Sequence, residues 1–188
     1  MIFHSTPLPG LFEITASPHI DARGSFARAF CPQVFADHGI AFHPTQINLS
    51  QNTARHTLRG LHFQPNPWAE AKLVRCVAGK MWDVVVDLRP GATFLHWHAV
   101  ILDAHAMNAL FVPEGMAHGF ITLHDDTCVL YQMGRDHVAG VGQGLRWDDP
   151  ALAIDWPTTP KRMSDQDATW PLLDAKLGTE AGTGQSFL

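Results

Sequence analysis

Short apolar or alternating segments, separated by glycine, proline, asparagine and aspartate, fill the chain from about Gly10 to Met133. Short strands at this turn-punctuated spacing predict an antiparallel β-sandwich or barrel. Two other stretches have the character of helices, PQVFADHGI and the region around SDQDATWPLLDAKL. The ten segments that we interpret as strands are LFEITAS, GSFARAF, TQINLS, LRGLHFQ, KLVRCVAG, MWDVVVDLR, FLHWHAVIL, ALFVPEG, HGFITL and TCVLYQM.

The turn at residues 78–81 suggests how two of these strands pair, because glycine at its first central position suits a two-residue hairpin. The resulting register places Lys72 opposite Asp87 and Cys76 opposite Asp83. The three charged side chains then share one face, whereas Val84 and Val86 point to the other face, into apolar packing. Because charged groups are costly to bury in an apolar core, we expect the polar face to line a cavity.

Size and charge bound the kind of protein. The 188 residues, 46% of them hydrophobic, suffice for one buried core, so we expect a single domain over residues 1–177 and a frayed tail over 178–188. The formal net charge of −5 excludes a broad nucleic-acid-binding face, which needs a net basic surface. An anionic ligand must therefore be bound locally. Of only 13 lysines and arginines, five fall close together: Arg55, Arg59, Lys72, Arg75 and Lys80.

Cysteine usage and the first residues point to a reducing compartment. Cys31, Cys76 and Cys128 are odd in number, widely spaced and without a CxxC motif, so we expect buried thiols and neither a disulfide framework nor a zinc ribbon. The opening MIFHSTPLPGLFEITAS has no basic, apolar leader, and a run of about 18 apolar residues occurs nowhere. We therefore expect a soluble, cytoplasmic protein without membrane contact.

Because histidine occurs twelve times, a single histidine says little about function. His96 and His98 form an HxH pair of the kind that holds a metal ion in some cupin barrels, but no glutamate follows at the usual spacing. Strand alternation places both on one face, and we expect them at the surface or at a pocket rim. A metal-dependent site built on this pair is the alternative.

His62, Tyr131 and His118 could each have either a structural or a catalytic role. Strict alternation would send Arg59 and His62 to opposite faces, so a shared site requires a β-bulge at Gly60. Tyr131, the only tyrosine, is either a core residue with a paired hydroxyl or a general acid, since an unperturbed phenol with a pKa of about 10 stays protonated at neutral pH. His118 is either a pocket group or a structural hydrogen bonder.

A series of motifs extends over nearly the whole chain: DARGSF at 21–26, QINLS at 46–50, LRGLHFQ at 58–64, KLVRCVAG at 72–79, WDVVVDLR at 82–89, VPEGMAHGF at 112–120, LYQ at 130–132, RWDDPALAIDWP at 146–157 and MSDQD at 163–167. In this order they resemble the dTDP-4-dehydrorhamnose 3,5-epimerase family. The resemblance implies an all-β fold, a cupin-like jelly-roll β-sandwich with a few short helices. It also implies a homodimer that uses neither metal nor organic cofactor, and a nucleotide-diphospho-4-keto-6-deoxy sugar as substrate.

The resemblance assigns catalytic roles to four residues. The family's base falls on His62, its paired carboxylate on Asp167, its general acid on Tyr131 and the lysine of its KLVR motif on Lys72. A C4 ketone acidifies the hydrogens at C3 and C5, so an imidazole oriented by a carboxylate can remove one while an ammonium stabilises the oxyanion. We expect Asp83 to keep Lys72 charged and aimed from behind the site.

The implied binding residues explain part of the basic cluster. Arg59 matches a phosphate-binding arginine within one subunit, and Arg23 matches one that reaches in from the partner subunit, because a guanidinium meets phosphate oxygens bidentately. Arg28 stands where the family often has glutamate, so a contact with the nucleotide changes sign. The other matches are Gln46, Asn48 and His118 at the sugar and Phe26 in the nucleotide pocket.

The chain departs from the family pattern around the nucleotide and the mouth of the site. The departures are at Gln132, at Asp136 with His137, at the glycine-rich VAGVGQG and at Gln166. The same machinery could therefore act at C3 alone, or on a GDP- or CDP-linked keto-sugar. A cupin that binds sugar without turnover is the alternative from another class.

Overall fold

The computed structural model describes residues 1–173, which form thirteen strands and two short helices. The strands are β1 (Ile2–Ser5), β2 (Phe12–Thr15), β3 (His19–Asp21), β4 (Gly24–Phe26), β5 (Gln46–Asn52), β6 (Leu58–Phe63), β7 (Lys72–Ala78), β8 (Lys80–Asp87), β9 (Trp97–Asp103), β10 (Ala109–Val112), β11 (Met116–Thr122), β12 (Thr127–Met133) and β13 (Gln143–Gly144). The helices are α1 (Pro32–Asp37) and α2 (Asp165–Thr169).

Two antiparallel sheets face each other. The order is β1-β2-β10-β7-β12-β5 in the six-stranded sheet and β13-β6-β11-β8-β9 in the five-stranded sheet. The central core lies between them, with Val74, Leu110 and Val129 from the first sheet packed against Val85 and Phe120 from the second. This arrangement confirms the predicted all-β, cupin-like sandwich.

The outer faces of both sheets are also covered. Phe35 of α1 is fully buried and packs with Phe42 and Phe111 outside the six-stranded sheet. A second cluster, which includes Val84 and Val86, packs outside the five-stranded sheet against the segment that follows β13. Both predicted helices are present but shorter than their sequence patterns, and the short strands β1, β3 and β13 were not predicted.

The hairpin predicted at residues 78–81 is wrong. β7 pairs with β10 and β12, whereas β8 pairs with β11 and β9 in the other sheet. At Gly79, with φ 75°, the chain turns a corner between sheets, and a Cβ there would lie 2.6 Å from Thr127 Oγ1. The predicted faces survive, because alternation continues through the corner: Lys72 and Asp83 both point into the space between the sheets.

The predicted domain end at residue 177 and the predicted tail over 178–188 lie outside the described residues. Within residues 1–173 no helix has the length and apolar character required to cross a membrane.

Candidate active site

A bulge in β6 brings two site residues onto one face. His62 pairs with His118 of β11 and Arg59 pairs with Phe120, so three steps along β6 match two along β11. One extra residue on a strand reverses the alternation beyond it. Arg59 and His62 therefore both face the other sheet, as the interpretation of Gly60 as a bulge requires.

Between the sheets lies a hollow of about 280 Å³, which we call the central cavity. His62 reaches it from the five-stranded sheet, whereas Lys72 and Tyr131 reach it from the six-stranded sheet. An imidazole thus faces an ammonium and a phenol across one space. The lining residues are Asn48, Leu49, Ser50, Arg59, His62, Lys72, His118, Tyr131 and Met133.

His62 is held by Asp167 of α2. The imidazole Nε2 lies 2.7 Å from Asp167 Oδ1, and the backbone N–H of Gly60 donates to Oδ2 at 3.4 Å. Ser164 caps α2 and accepts a hydrogen bond from the Asp167 N–H at 3.0 Å. Burial raises the pKa of Asp167, but the hydrogen bond and charge of His62, together with the hydrogen bonds of Gly60 and Ser164, outweigh it, so that the pKa of this carboxyl lies below its usual value. An ionised carboxylate only accepts, so Nε2 carries the proton and Nδ1 is left as the basic nitrogen.

Tyr131 stands on β12 beside His118, with ring centroids 5.9 Å apart in an edge-to-face contact. Burial raises the pKa of Tyr131 far above its usual value, the charge of Asp83 raises it further, and the charge of Arg59 opposes the shift. The phenol is therefore neutral at neutral pH.

Lys72 forms a direct ion pair that sequence reasoning missed. Its Nζ lies 3.2 Å from Glu70 Oε1, and the side chains of Lys72 and Glu70 are only 8% and 6% exposed. Gln64 donates to the other oxygen, Oε2, at 2.8 Å. A glutamate two residues before Lys72 is the signal that could have suggested this pairing.

Asp83 bonds His118, and its relation to Lys72 is electrostatic. His118 Nε2 lies 3.0 and 2.9 Å from the two carboxylate oxygens of Asp83, and both side chains are buried. Burial raises the pKa of Asp83, while the charges of His118 and Lys72 oppose that effect. Asp83 is therefore hydrogen-bonded to His118, which was not predicted, and its relation to the predicted partner Lys72 is only an effect of charge.

The inner face of β5 adds polar groups to the cavity wall. Asn48 pairs with Tyr131 across the sheet, and Gln46 Nε2 donates to Asn48 Oδ1 at 3.3 Å. Asn52, not predicted, accepts from Arg59 Nε at 2.8 Å and so orients the guanidinium. The backbone of β5 thereby places one amide beside the phenol and another beside the arginine.

Arg23, Phe26 and Arg28 do not reach the cavity of their own chain. Arg23 lies on the β3–β4 hairpin, is 91% exposed at the side chain, and bonds Asp21 at 2.6 Å. Phe26 ends the hairpin with 78% of its surface exposed, and Arg28 just beyond it is also exposed. The hairpin forms a sheet of its own.

A second hollow of about 420 Å³ adjoins the central cavity and shares His62 and Lys72 with it. It contains Glu70 and Gln64 together with five residues where the chain departs from the family pattern, His137, Gly140, Gly142, Gln143 and Gln166. His137 also donates its backbone N–H to Gln46 Oε1 at 3.0 Å. The departures at Gln132 and Asp136 do not line this hollow.

The histidine pair at residues 96–98 lies apart from this region. β9 begins at Trp97, so His96 precedes the strand, and His98 Nε2 lies 2.7 Å from Glu13 Oε1 of the opposite sheet. Within residues 1–173 no group of three or more His, Cys, Asp or Glu side chains is arranged to hold a metal ion. Of the two histidines that were expected on one strand, the strand therefore contains only His98.

An antiparallel sandwich with a polar cavity between its sheets places the chain among the cupin-like proteins, and its imidazole, carboxylate and phenol suit an isomerase that moves protons. Residues 5–175 match the family model described as dTDP-4-dehydrorhamnose 3,5-epimerase. The chain belongs to this family.

Individual relatives agree with the family model. A dTDP-4-dehydrorhamnose 3,5-epimerase of Mycobacterium tuberculosis is 39% identical over 87% of this chain and 83% of its own length. A dTDP-4-dehydrorhamnose 3-epimerase of Streptomyces niveus is 38% identical over 86% and 79%. The crystal structure of the 3,5-epimerase from Bacillus anthracis, with TDP and PPi bound, superposes with a TM-score of 0.89 at 37% identity, covering 92% of this chain and 99% of that one.

Proposed function

We propose that the protein inverts C3 and C5 of a dTDP-linked 4-keto-6-deoxy sugar by removing a proton on one side of the ring and returning one on the other. The observation that carries the proposal is that His62, paired with Asp167, and Tyr131 line one cavity from opposing sheets. Family membership and the bound TDP of the Bacillus anthracis relative support the class of substrate.

His62 acts as the base. Its Nε2–H is committed to Asp167, so Nδ1 takes the proton from the carbon next to the ketone. The positive charge that appears on the ring is stabilised by the carboxylate, whose low pKa keeps it ionised. The electron pair of the broken C–H bond moves to the C4 oxygen as an enolate.

Lys72 stabilises that enolate oxygen. Its ammonium is almost completely buried and lines the central cavity, and a fixed charge in a water-poor site stabilises a developing anion far more than in bulk water. The interaction strengthens as the oxygen becomes negative, so it lowers the barrier and not only the energy of the bound substrate.

Tyr131 returns a proton to the carbon from the opposite side. Inversion requires that the proton returns on the face of the ring opposite to the one from which it left. The protonated imidazole of His62 lies on the first face, so a second group, the neutral phenol, must donate the proton. The enolate collapses to the ketone as the new C–H bond forms, and solvent later restores the proton of Tyr131 and removes that of His62.

The diphosphate of the substrate would be met by arginines. Arg59 lines the cavity with its guanidinium oriented by Asn52, and a planar guanidinium suits phosphate oxygens. Arg23 and Phe26 reach no site in their own chain, so we propose that in a homodimer they complete the partner's site. Gln46, Asn48 and His118 line the sugar, and Arg28 lies close to the nucleotide.

Epimerisation at C3 alone is the second candidate. The Streptomyces niveus relative named as a 3-epimerase matches this chain nearly as well as the 3,5-epimerases do. The two reactions use the same groups and differ in whether the sugar ring turns for a second proton abstraction. The number of exchanged positions therefore separates them.

Deuterium incorporation from heavy water tests both candidates. The purified protein and a dTDP-linked 4-keto-6-deoxy sugar should give a product with two deuterons, at C3 and C5, whereas a 3-epimerase gives one. His62→Ala should abolish exchange but retain nucleotide-sugar binding, and His124→Ala, at an exposed loop position, is the matched control. Exchange that persists in His62→Ala would remove His62 as the base, and an absence of exchange in the wild type would overturn the proposed function.

A further inference from the structure

Glu70 is a buried carboxylate to which the proposed reaction gives no task. Each of its two oxygens has a partner, one the Lys72 ammonium at 3.2 Å and the other Gln64 at 2.8 Å. Gln64 is itself 5% exposed, and its Oε1 accepts the backbone N–H of Val138 at 3.4 Å. The carboxylate is thus anchored between the ammonium and the loop that follows β12.

We propose that Glu70 is the positioning residue of the reaction, which holds the Lys72 ammonium aimed at the oxygen that becomes negative. This inference rests on the proposed function, since it concerns how Lys72 performs its part. Glu70 does not line the central cavity, so it acts through Lys72 and not on the reacting atoms.

Burial of this ion pair argues against a role in stability alone. Removing two charges from water is costly, and apolar side chains of similar volume often stabilise a fold at least as well. Lys72 nevertheless lines both hollows, and Glu70 lines the second one. A buried ion pair beside the cavity is explained if the function of the protein requires the Lys72 ammonium to bind a ligand there.

The geometry leaves Lys72 free to bind a ligand. An ammonium has three donors, and only the contact with Glu70 is within ion-pair distance among the described residues. The charge of Asp83 acts on it from the other sheet without a hydrogen bond. A lysine side chain has four rotatable bonds, so that one fixed acceptor behind the nitrogen restricts where the other donors point.

The alternative carboxylate, Asp83, is already engaged. Both of its oxygens bond His118, and its pKa is raised by complete burial. Glu70 is therefore the side chain that orients the Lys72 ammonium, whereas Asp83 contributes only to the electrostatic potential in the cavity.

Steady-state kinetics of Glu70→Gln test the inference. The amide keeps the size and can still bond Gln64, but it removes the charge, so we expect kcat to fall on the order of ten- to hundredfold with KM changed by no more than about twofold. Glu114→Gln, at an exposed carboxylate outside the site, is the matched control and should leave both constants unchanged. An unchanged kcat in Glu70→Gln would overturn the inference.

A double variant shows whether Glu70 works through Lys72. Lys72→Met alone leaves a buried carboxylate without its cation, so adding Glu70→Gln should raise the melting temperature and cost no further rate. Additive losses of rate would show that Glu70 acts independently of Lys72 and would overturn the inference.

The outcomes separate this inference from the proposed function. A wild-type protein that exchanges no deuterium with the keto-sugar overturns both. A wild type that exchanges normally, with Glu70→Gln equally active, overturns only the role of Glu70.

Discussion

At the scale of single residues, the site widens the ordinary difference in protonation between a phenol and a carboxyl. Tyr131 lines the cavity and Asp167 supports it, and burial raises the pKa of the phenol, whereas the partner His62 lowers the pKa of the carboxyl. At neutral pH the phenol therefore keeps its proton and the carboxyl stays ionised. This is the division of labour that a proton donor and an orienting carboxylate require.

Titration of the phenol provides a direct test, because Tyr131 is the only tyrosine in the chain. Its raised pKa means that phenolate absorbance in the near-ultraviolet should be absent at about pH 10, where a free tyrosine is half ionised. It should appear only with loss of the native circular dichroism. Protein unfolded in urea is the control and should titrate near pH 10. Phenolate formation at that pH in the folded protein would contradict the assigned environment.

The low pKa of Asp167 should make part of the stability depend on pH. A group whose pKa is depressed in the folded state contributes stability above its unfolded pKa of about 3.9, and this is lost as the pH falls through the folded value. Asp167→Asn should therefore reduce the free energy of unfolding by about 1–3 kcal/mol near neutral pH, with a smaller difference below about pH 4. Urea unfolding of both proteins across this range measures it, and Asp165→Asn on the same helix is the control. A difference that stays constant down to the lowest pH would contradict the shift.

At the residue scale, sequence reasoning found most of the cavity lining but only one of its supports, Asp167. His62, Lys72, Tyr131 and Arg59 belong to motifs and were predicted. Glu70 was missed although it stands two residues before Lys72. Asn52 was missed because its contact with Arg59 joins two opposite sheets, and no local pattern encodes that distance.

At the scale of elements, the site depends on the irregularity of β6. Gly60 has φ 136°, and a Cβ there would lie 2.5 Å from Gly119 Cα of β11, so the two backbones approach too closely for any side chain. The sequence predicted this bulge because Arg59 and His62 could share a face only through it. The corner at Gly79 was predicted incorrectly, since the same glycine signal fits a hairpin and a change of sheet.

Gly60→Ala should test the bulge. The added methyl group meets backbone at 2.5 Å in a conformation that favours glycine, so we expect a loss of about 2–5 kcal/mol in the free energy of unfolding. Gly142→Ala is the matched control, since a Cβ there meets nothing within 4 Å. Denaturant unfolding measures both, and equal effects of the two substitutions would show that the close approach is not a constraint.

At the scale of the whole molecule, the described chain leaves surfaces that suit a second copy. The β3–β4 hairpin carries Ile20 and Phe26 with 79% and 78% of their surfaces exposed. The edge strand β5 turns Ile47 and Leu49 outward, 61% and 67% exposed, beside its unpaired backbone edge. Large apolar groups at a free strand edge are typical of subunit interfaces, which supports the proposed homodimer.

Complementation between two inactive variants tests whether Arg23 works across the dimer. Arg23→Ala and His62→Ala should each lose activity as homodimers. In a mixed dimer, one site has both defects and the other has neither, so a random mixture should regain roughly a quarter of the wild-type sites. Co-expression with two affinity tags isolates the mixed dimer for a rate measurement, and an Arg23→Ala, His62→Ala double variant paired with His62→Ala is the inactive control. No recovery would place Arg23 in its own subunit's site or outside any site.

The sequence by itself determined most of the strand segments, the all-β class, the family and most of the residues that line the cavity, because alternation and local motifs are properties of neighbouring positions. Only the tertiary structure decided that β7 and β8 lie in different sheets, that Glu70 and not Asp83 contacts Lys72, and that Arg23 and Phe26 stand away from their own cavity. These outcomes depend on which distant segments pack together. Packing of distant segments is driven by the burial of apolar surface over the whole chain, so it cannot be read from a short stretch of sequence.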